Sequence, residues 1–214
     1  KSAAWANKSE ISIKWINAEI ASEADFASVD AIVVPGGFGT RGVEGKIKAA
    51  EYCIKNNKPY LGICLGLQAA VIAAARLGGV ANANSEEFGA DSSSNVVYIM
   101  DGQQGKESTG GTMRLGNYPA VLKAGSLASR LYAATNIIER HRHRYEVNQE
   151  FVQNIEDGGL IISGTSPDNK LVEFVETPKC KYFIATQAHP EFRSRPFRPH
   201  PLFCGLIRTV IETK

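Results

Sequence analysis

Between Tyr60 and Ala70 the chain reads Tyr-Leu-Gly-Ile-Cys-Leu-Gly-Leu-Gln-Ala-Ala, a short apolar run that meets Gly-x-Cys-x-Gly and passes directly into an alanine-rich stretch. The pattern predicts a buried strand, a sharp turn and a core-facing helix, which is the cysteine form of a nucleophile elbow. A turn that tight strains its central residue, and the flanking glycines remove the Cβ atoms that would clash. The thiol of Cys64 is then expected at an exposed tip, at a helix amino terminus whose dipole favours the thiolate. A buried structural cysteine would explain an isolated Cys in such surroundings, but not the two glycines that bracket this one.

The rest of the chain alternates short β-branched runs with helical stretches: Ile11 to Ile16, Ala31 to Val34, Lys46 to Asn56, Pro59 to Ile63. Parallel strands need a helical crossover, so residues 31–76 read as βαβα, and the expected fold is α/β, an open, mostly parallel central sheet with helices on both faces. Leu61 to Ala81 is 21 residues with Arg76 as its only charge, long enough to span a bilayer. Gly62, Gly66, Gly78 and Gly79 divide it, which favours a strand followed by a core helix. Asn82 to Ser108 is polar and loop-rich around Val96 to Met100, with a mobile tip expected. Gly110 to Gly116 suggests a strand or hairpin, and Leu127 to Tyr132 a helix. Strand-like runs at Lys170 to Val175 and Tyr182 to Gln187 flank a Thr-Pro-Lys-Cys turn, and Pro201 to Glu212 has helical apolar spacing. No repeat or linker divides the 214 residues, which read as one domain.

Charge excludes several classes of function. Twenty-four Lys and Arg against 22 Asp and Glu leave a formal charge of +2, which argues against a dedicated nucleic-acid binder. The cysteines at 53, 64, 180 and 204 form no Cys-x-x-Cys pair, so neither a disulfide framework nor a zinc ribbon is suggested, and reduced intracellular thiols are expected. The amino terminus carries no signal-peptide or lipidation pattern.

A cysteine nucleophile needs a base. His189, in Thr-Gln-Ala-His-Pro-Glu-Phe at the end of an apolar strand, has Glu191 two residues on. Pro190 is expected to hold the stretch extended, so that Glu191 orients one imidazole nitrogen while the other faces the thiol. Acyl transfer also needs oxyanion donors, and the bare amides of Val33-Val34-Pro35-Gly36-Gly37-Phe38-Gly39 offer a set, although a plain turn would use the same residues. Glu139 to Glu146 (ERHRHRYE) admits three readings: nucleic-acid contact, weakened by the near-neutral charge, a metal site lacking a clear third ligand, and a solvated basic strand; a sharper one is that one arginine forms a bidentate clamp on a substrate carboxylate. Arg193 to Pro201 reads as a structured cover after the catalytic strand.

Taken together, Gly62 to Gln68 and His189-Pro190-Glu191 resemble the triad-type, class I glutamine amidotransferases. ERHRHRYEVN at 139–148, GGTMRLG at 110–116, Asn84 to Phe88 and Pro199 to Phe203 resemble the glutaminase domains of the CTP synthase family. The resemblance implies a Cys64, His189, Glu191 triad, with Gly37 and the Leu65 amide as oxyanion hole. It implies also that Gly66, Leu67, Gln68, Glu87, Arg144 and Tyr145 line the glutamine site, with Arg144 on the α-carboxylate and Glu87 near the α-amino group. The implied reaction is glutamine hydrolysis to glutamate and ammonia through a thioester, with no cofactor or metal in this domain. In that family a separate amino-terminal synthetase domain binds ATP, magnesium and UTP, uses the ammonia to make CTP, and assembles a cytoplasmic homotetramer. GTP, the family's activator, is expected beside Phe38 and Arg41. Leu67 replaces the usual methionine, a volume-conserving change. The match begins near the family's second strand, so the first sheet strand and the synthetase domain are expected to be absent. A stand-alone γ-glutamyl hydrolase and a non-catalytic interaction domain are the alternatives.

Overall fold

The computed structural model describes residues 1–89, 92–99 and 113–214. Seven strands form one sheet: β1 (Ile32–Val34), β2 (Tyr60–Ile63), β5 (Arg114–Leu122), β6 (Asn136–His143), β8 (Ile161–Thr165), β9 (Val172–Glu176) and β10 (Phe183–Thr186), in the order β1-β2-β10-β9-β8-β5-β6. A second sheet joins β3 (Asn84–Ser85), β4 (Asn95–Ile99) and β7 (Tyr145–Val147).

The fold class stands, but the sheet is mixed rather than mostly parallel. Only β1, β2 and β10 run parallel, and every other neighbour in the large sheet is antiparallel. The reason lies in the connections. Helix α3 (Val43–Asn56) carries the chain from β1 back to the start of β2, whereas β8, β9 and β10 follow one another through short turns that reverse direction.

The central strands β2 and β10 are buried throughout, and their alternate residues feed two cores. Tyr60 and Phe183 stack at 4.5 Å on one face, under α3 and α4 (Leu65–Leu77) and joined by Ile155 of α6 (Val152–Asp157). Leu61 and Ile184 face the other side, under α5 (Leu127–Tyr132) and α7 (Pro201–Thr213). Helices thus cover both faces, as expected. Two short helices, α1 (Ser2–Ala6) and α2 (Glu23–Ala27), pack on α7 and α3. Among the described residues no helix is long and apolar enough to cross a membrane.

Residues 11–16 form no strand, contrary to expectation: Trp15 is 88% exposed, and among the described residues no neighbouring strand supplies the ladder partner their alternation would need. The tip of the loop expected over residues 82–108, and Gly110, Gly111 and Thr112 of GGTMRLG, lie outside the described residues. Arg114 of that motif opens β5.

The turn from β2 into α4 depends on a close approach. A Cβ on Gly66 would sit 2.2 Å from the Val34 carbonyl oxygen, and one on Gly62 2.7 Å from the Gly66 carbonyl. Both obstacles are backbone, which cannot swing aside. Gly66→Ala is therefore expected to lower unfolding free energy by about 3 kcal/mol, read from urea denaturation. A loss well under about 1 kcal/mol would show that β1 yields.

Candidate active site

Cys64 occupies the turn itself with φ 52° and ψ −103°, a left-handed conformation that L-residues adopt only where surrounding contacts impose it. Its N–H donates to the Thr186 carbonyl at 2.8 Å, tying the elbow to the end of β10, and its own carbonyl accepts from Leu67 and Gln68 in the first turn of α4. The side chain is not at an exposed tip. Cys64 is 2% exposed, with Sγ 4.0 Å from the Arg142 carbonyl oxygen. Burial, reinforced by the carboxylates of Glu191, Glu87 and Glu146, pushes its thiol up to about 12, and the hydrogen bond from the Leu65 amide only partly opposes this. The helix terminus does not yield a resting thiolate here, because desolvation outweighs the dipole.

His189 follows β10, with its N–H donating to the Arg140 carbonyl of β6 at 2.7 Å. Residues 190–192 form a 3-10 turn rather than extended chain. The turn still brings Glu191 Oε1 within 2.6 Å of His189 Nδ1. With Nδ1–H given to the carboxylate, Nε2 keeps its lone pair, and this buried nitrogen has no partner among the described residues. Phe192 stacks on the imidazole at 4.8 Å and 11°, fixing the ring plane. Gly36 shows how His189 and Cys64 meet: a Cβ there would lie 2.8 Å from His189 Cε1 and 3.5 Å from Cys64 Cβ. A glycine at this position leaves room for both side chains beside the loop.

Around this pair stand most of the other expected residues. Gly37 packs toward Leu65, whose Cδ2 would be 3.3 Å from a Cβ added there. Leu67 and Gly66 are buried in α4. Gln68 is buried too, with Nε2 3.4 Å from the Tyr145 carbonyl and 3.4 Å from Gln187 Oε1. Glu87 accepts from the Gly39 N–H at 2.8 Å, and burial raises its carboxyl despite that bond and the nearby Lys46 and Arg144. Arg144 keeps a buried Nε with no partner. The expected GTP region is more scattered: Arg41 pairs with Glu19 at 3.0 Å on the surface, while Phe38 lies exposed beneath the Arg142 guanidinium at 5.4 Å.

Sequence reasoning assigned no role to Gln187, Lys46 or Phe192. Gln187 is fully buried, and its Nε2 lacks a partner. Its position two residues before His189, just past the end of β10, was the available signal. Nothing in the sequence singles out Lys46.

A family model for class-I glutamine amidotransferase matches residues 2–209. The chain belongs to this family. It is 50% identical to the CTP synthase of Methanocaldococcus jannaschii, across 97% of this chain and 41% of that protein. With the CTP synthase of Corynebacterium jeikeium the identity is 53%, across 94% of this chain and 38% of that one. A solved structure, the Trypanosoma brucei CTPS glutaminase domain with bound acivicin, superposes with a TM-score of 0.90 at 35% identity, covering 99% of this chain and 84% of that one. Within the family the chain is therefore a glutaminase domain of the CTP synthase type, and it spans about 40% of the length of its curated relatives.

Close to Cys64 and His189, this amidotransferase domain buries an ionic cluster. Glu139 to Glu146 is not a solvated basic strand: along β6 Arg140 and Arg142 face out while Glu139, His141 and His143 alternate inward. Arg114 of β5 bridges Glu146 at 3.0 Å and Glu173 at 2.7 Å. His143 Nδ1 lies 3.1 Å from the Tyr145 carbonyl and must donate to it, so its Nε2 accepts from His141 Nδ1 at 2.9 Å. The His143 ring is thus neutral. Burial, with Arg114 nearby, lowers His141 to about 3 and holds His143 well below its usual range. Burial, with Glu173 alongside, raises Glu146 to about 8 even against Arg114. Among the described residues no group of His, Cys, Asp and Glu is placed to hold a metal ion.

The sign of the resulting pH dependence follows. Folded Glu146 holds its proton up to about 8, whereas the unfolded carboxyl releases it near 4.5, so stability falls as pH rises through that window. Folded His141 and His143 refuse protons that the unfolded chain accepts near 6.5, so stability also falls below that value. The melting temperature is expected to peak between these limits, and Glu146→Gln to flatten the alkaline arm alone. A calorimetric Tm that climbs from pH 6.5 to 8 would contradict the assignment.

Proposed function

We propose that the chain hydrolyses L-glutamine to glutamate and ammonia, with Cys64 as nucleophile, His189 as base and acid, and Glu191 as its orienting partner. The observation that carries this reading is the strained Cys64 set against the His189 and Glu191 pair across Gly36. The buried thiol supports attack coupled to proton transfer: as Sγ bonds the side-chain amide carbon, its proton passes to His189 Nε2. Charge collects on the amide oxygen, where the Gly37 and Leu65 amides receive it. His189 then protonates the nitrogen, ammonia leaves, and a γ-glutamyl thioester remains. Water deprotonated by His189 cleaves the thioester, giving glutamate and returning the proton to the thiol.

Arg144 takes the α-carboxylate and Glu87 the α-ammonium. Gln68 and Tyr145, with Gly66 and Leu67 behind them, shape the wall of the site. The Arg144 Nε, buried and without a partner among the described residues, supports its part, since an unmet buried donor is costly unless a ligand supplies an acceptor. ERHRHRYEVN argues against a stand-alone γ-glutamyl hydrolase, and an intact triad against a non-catalytic domain.

In the whole protein the ammonia passes to a separate synthetase domain that uses ATP, magnesium and UTP to make CTP, in a cytoplasmic homotetramer. Four free cysteines are compatible with that compartment. We place the activator GTP beside Phe38 and Arg41, where an exposed ring and exposed guanidinium groups border the oxyanion loop.

Incubation with the glutamine-mimicking electrophile 6-diazo-5-oxo-norleucine, followed by intact mass and peptide mapping, tests the core of this reading. One adduct on Cys64 is expected, and labelling spread over Cys53, Cys180 and Cys204 would remove Cys64 as nucleophile. Arg144→Ala is expected to raise KM for glutamine about ten- to a hundredfold with kcat little changed, the cost of one lost charge-assisted pair. An unchanged KM would remove Arg144 from the site.

A further inference from the structure

The loop between β1 and α3 carries Gly36 against the His189 ring and Gly37 toward Leu65. Among the described residues, one hydrogen bond ties residues 36–39 to another element: the Gly39 N–H donates to Glu87 Oε1 at 2.8 Å, across 48 residues of sequence. Gly39 itself sits at φ 77°, so the bond holds a backbone conformation that glycine tolerates and other residues resist. The carboxylate end of the bond is well anchored. Glu87 lies in the 3-10 turn Glu86–Phe88, whose start is capped by Ser85 Oγ accepting from the Glu87 N–H at 3.2 Å. The neighbouring Glu86 accepts from the Ile99 N–H of β4 at 2.7 Å. Lys46, in the first turn of α3, closes the same group from below, with Nζ 3.6 Å from where a side chain on Gly37 would begin.

We propose that Glu87 is the positioning residue of the oxyanion loop: Oε1 latches Gly39 and thereby sets the Gly37 amide, while the other carboxylate oxygen is left for the ammonium group of glutamine. One carboxylate then joins recognition of the amino-acid head group to the geometry that stabilises the oxyanion. The inference rests on the glutaminase reading above and adds to it a role that head-group binding alone does not require.

The two roles separate in two variants. Glu87→Gln keeps an oxygen that accepts from Gly39 but loses the charge that attracts an ammonium; Glu87→Ala loses both. Amide exchange of Gly39, followed by NMR on the whole chain, is expected to be equally slow in the wild type and Glu87→Gln, and about tenfold faster in Glu87→Ala. In glutamine hydrolysis, Glu87→Gln is expected to raise KM about tenfold with kcat within about twofold. Glu87→Ala is expected to raise KM similarly and also lower kcat about tenfold. Equal Gly39 exchange in all three proteins, or equal kcat in the two variants, would overturn the latch. A wild-type chain that fails to hydrolyse glutamine would count against the glutaminase reading, and the exchange rates would still decide whether the latch exists.

Discussion

The left-handed backbone at Cys64 is the constraint on which the rest of the molecule depends. A residue held at φ 52° costs on the order of 1 to 3 kcal/mol, and it persists only where neighbouring structure leaves the chain no alternative. Two groups of contacts impose it here. The Cys64 N–H is held by the Thr186 carbonyl, so the turn begins where β10 ends. Beyond it, α4 is buried from Leu65 to Ala75, all but its last two residues, and that apolar burial offsets the strain many times over. The glycines on either side permit the packing, because the Val34 carbonyl occupies the space a side chain on Gly66 would need.

The second organiser is β6, an outermost strand of the large sheet. Its main chain serves the site: the Arg140 carbonyl receives the His189 N–H, the Ile138 carbonyl receives the Arg193 guanidinium, and the Arg142 carbonyl lies beside the Cys64 thiol. Its alternate side chains serve the interior. Glu139 accepts from Tyr132 at 3.1 Å and pairs with His200, the cap of α7, at 2.9 Å. His141 and His143 join the cluster around Arg114. Period-two alternation therefore splits one run of charged residues into a strap over the catalytic loop and a buried polar foundation. That foundation is a weak source of net stability, since burying Arg114 with its acidic partners Glu146 and Glu173 costs about what their interactions return. Its effect is positional: strands β5, β6, β7 and β9 are held at fixed spacing behind the reacting residues.

How much of this was legible in the chain can be judged from particular residues. Gly62, Cys64 and Gly66 announced the elbow, because only that backbone geometry demands glycine on both sides of a cysteine. His189 and Glu191 were legible as a pair because their separation is local, and the pair survived even though the segment is a 3-10 turn instead of extended chain. The strand expected at residues 11–16 failed because alternation shows that a segment could face a core, not that a neighbouring strand is there to pair with it. The mostly parallel sheet failed for a related reason. Apolar runs reveal strands, but direction is decided by whether the connection crosses back or turns.

The sequence by itself determined where the chain must bend sharply, at Cys64, and which histidine and carboxylate stand together, His189 and Glu191. These are short-range facts, set by sterics within a few residues. Only the tertiary structure decided the burial of the Cys64 thiol, the neutral state of His141 and His143, and the partnership of Gly39 with Glu87. Each depends on desolvation or on groups brought together from distant parts of the chain. A thiol at a helix terminus reads as a thiolate until the surrounding strands remove its water, and that loss of solvent is a property of the packed molecule alone.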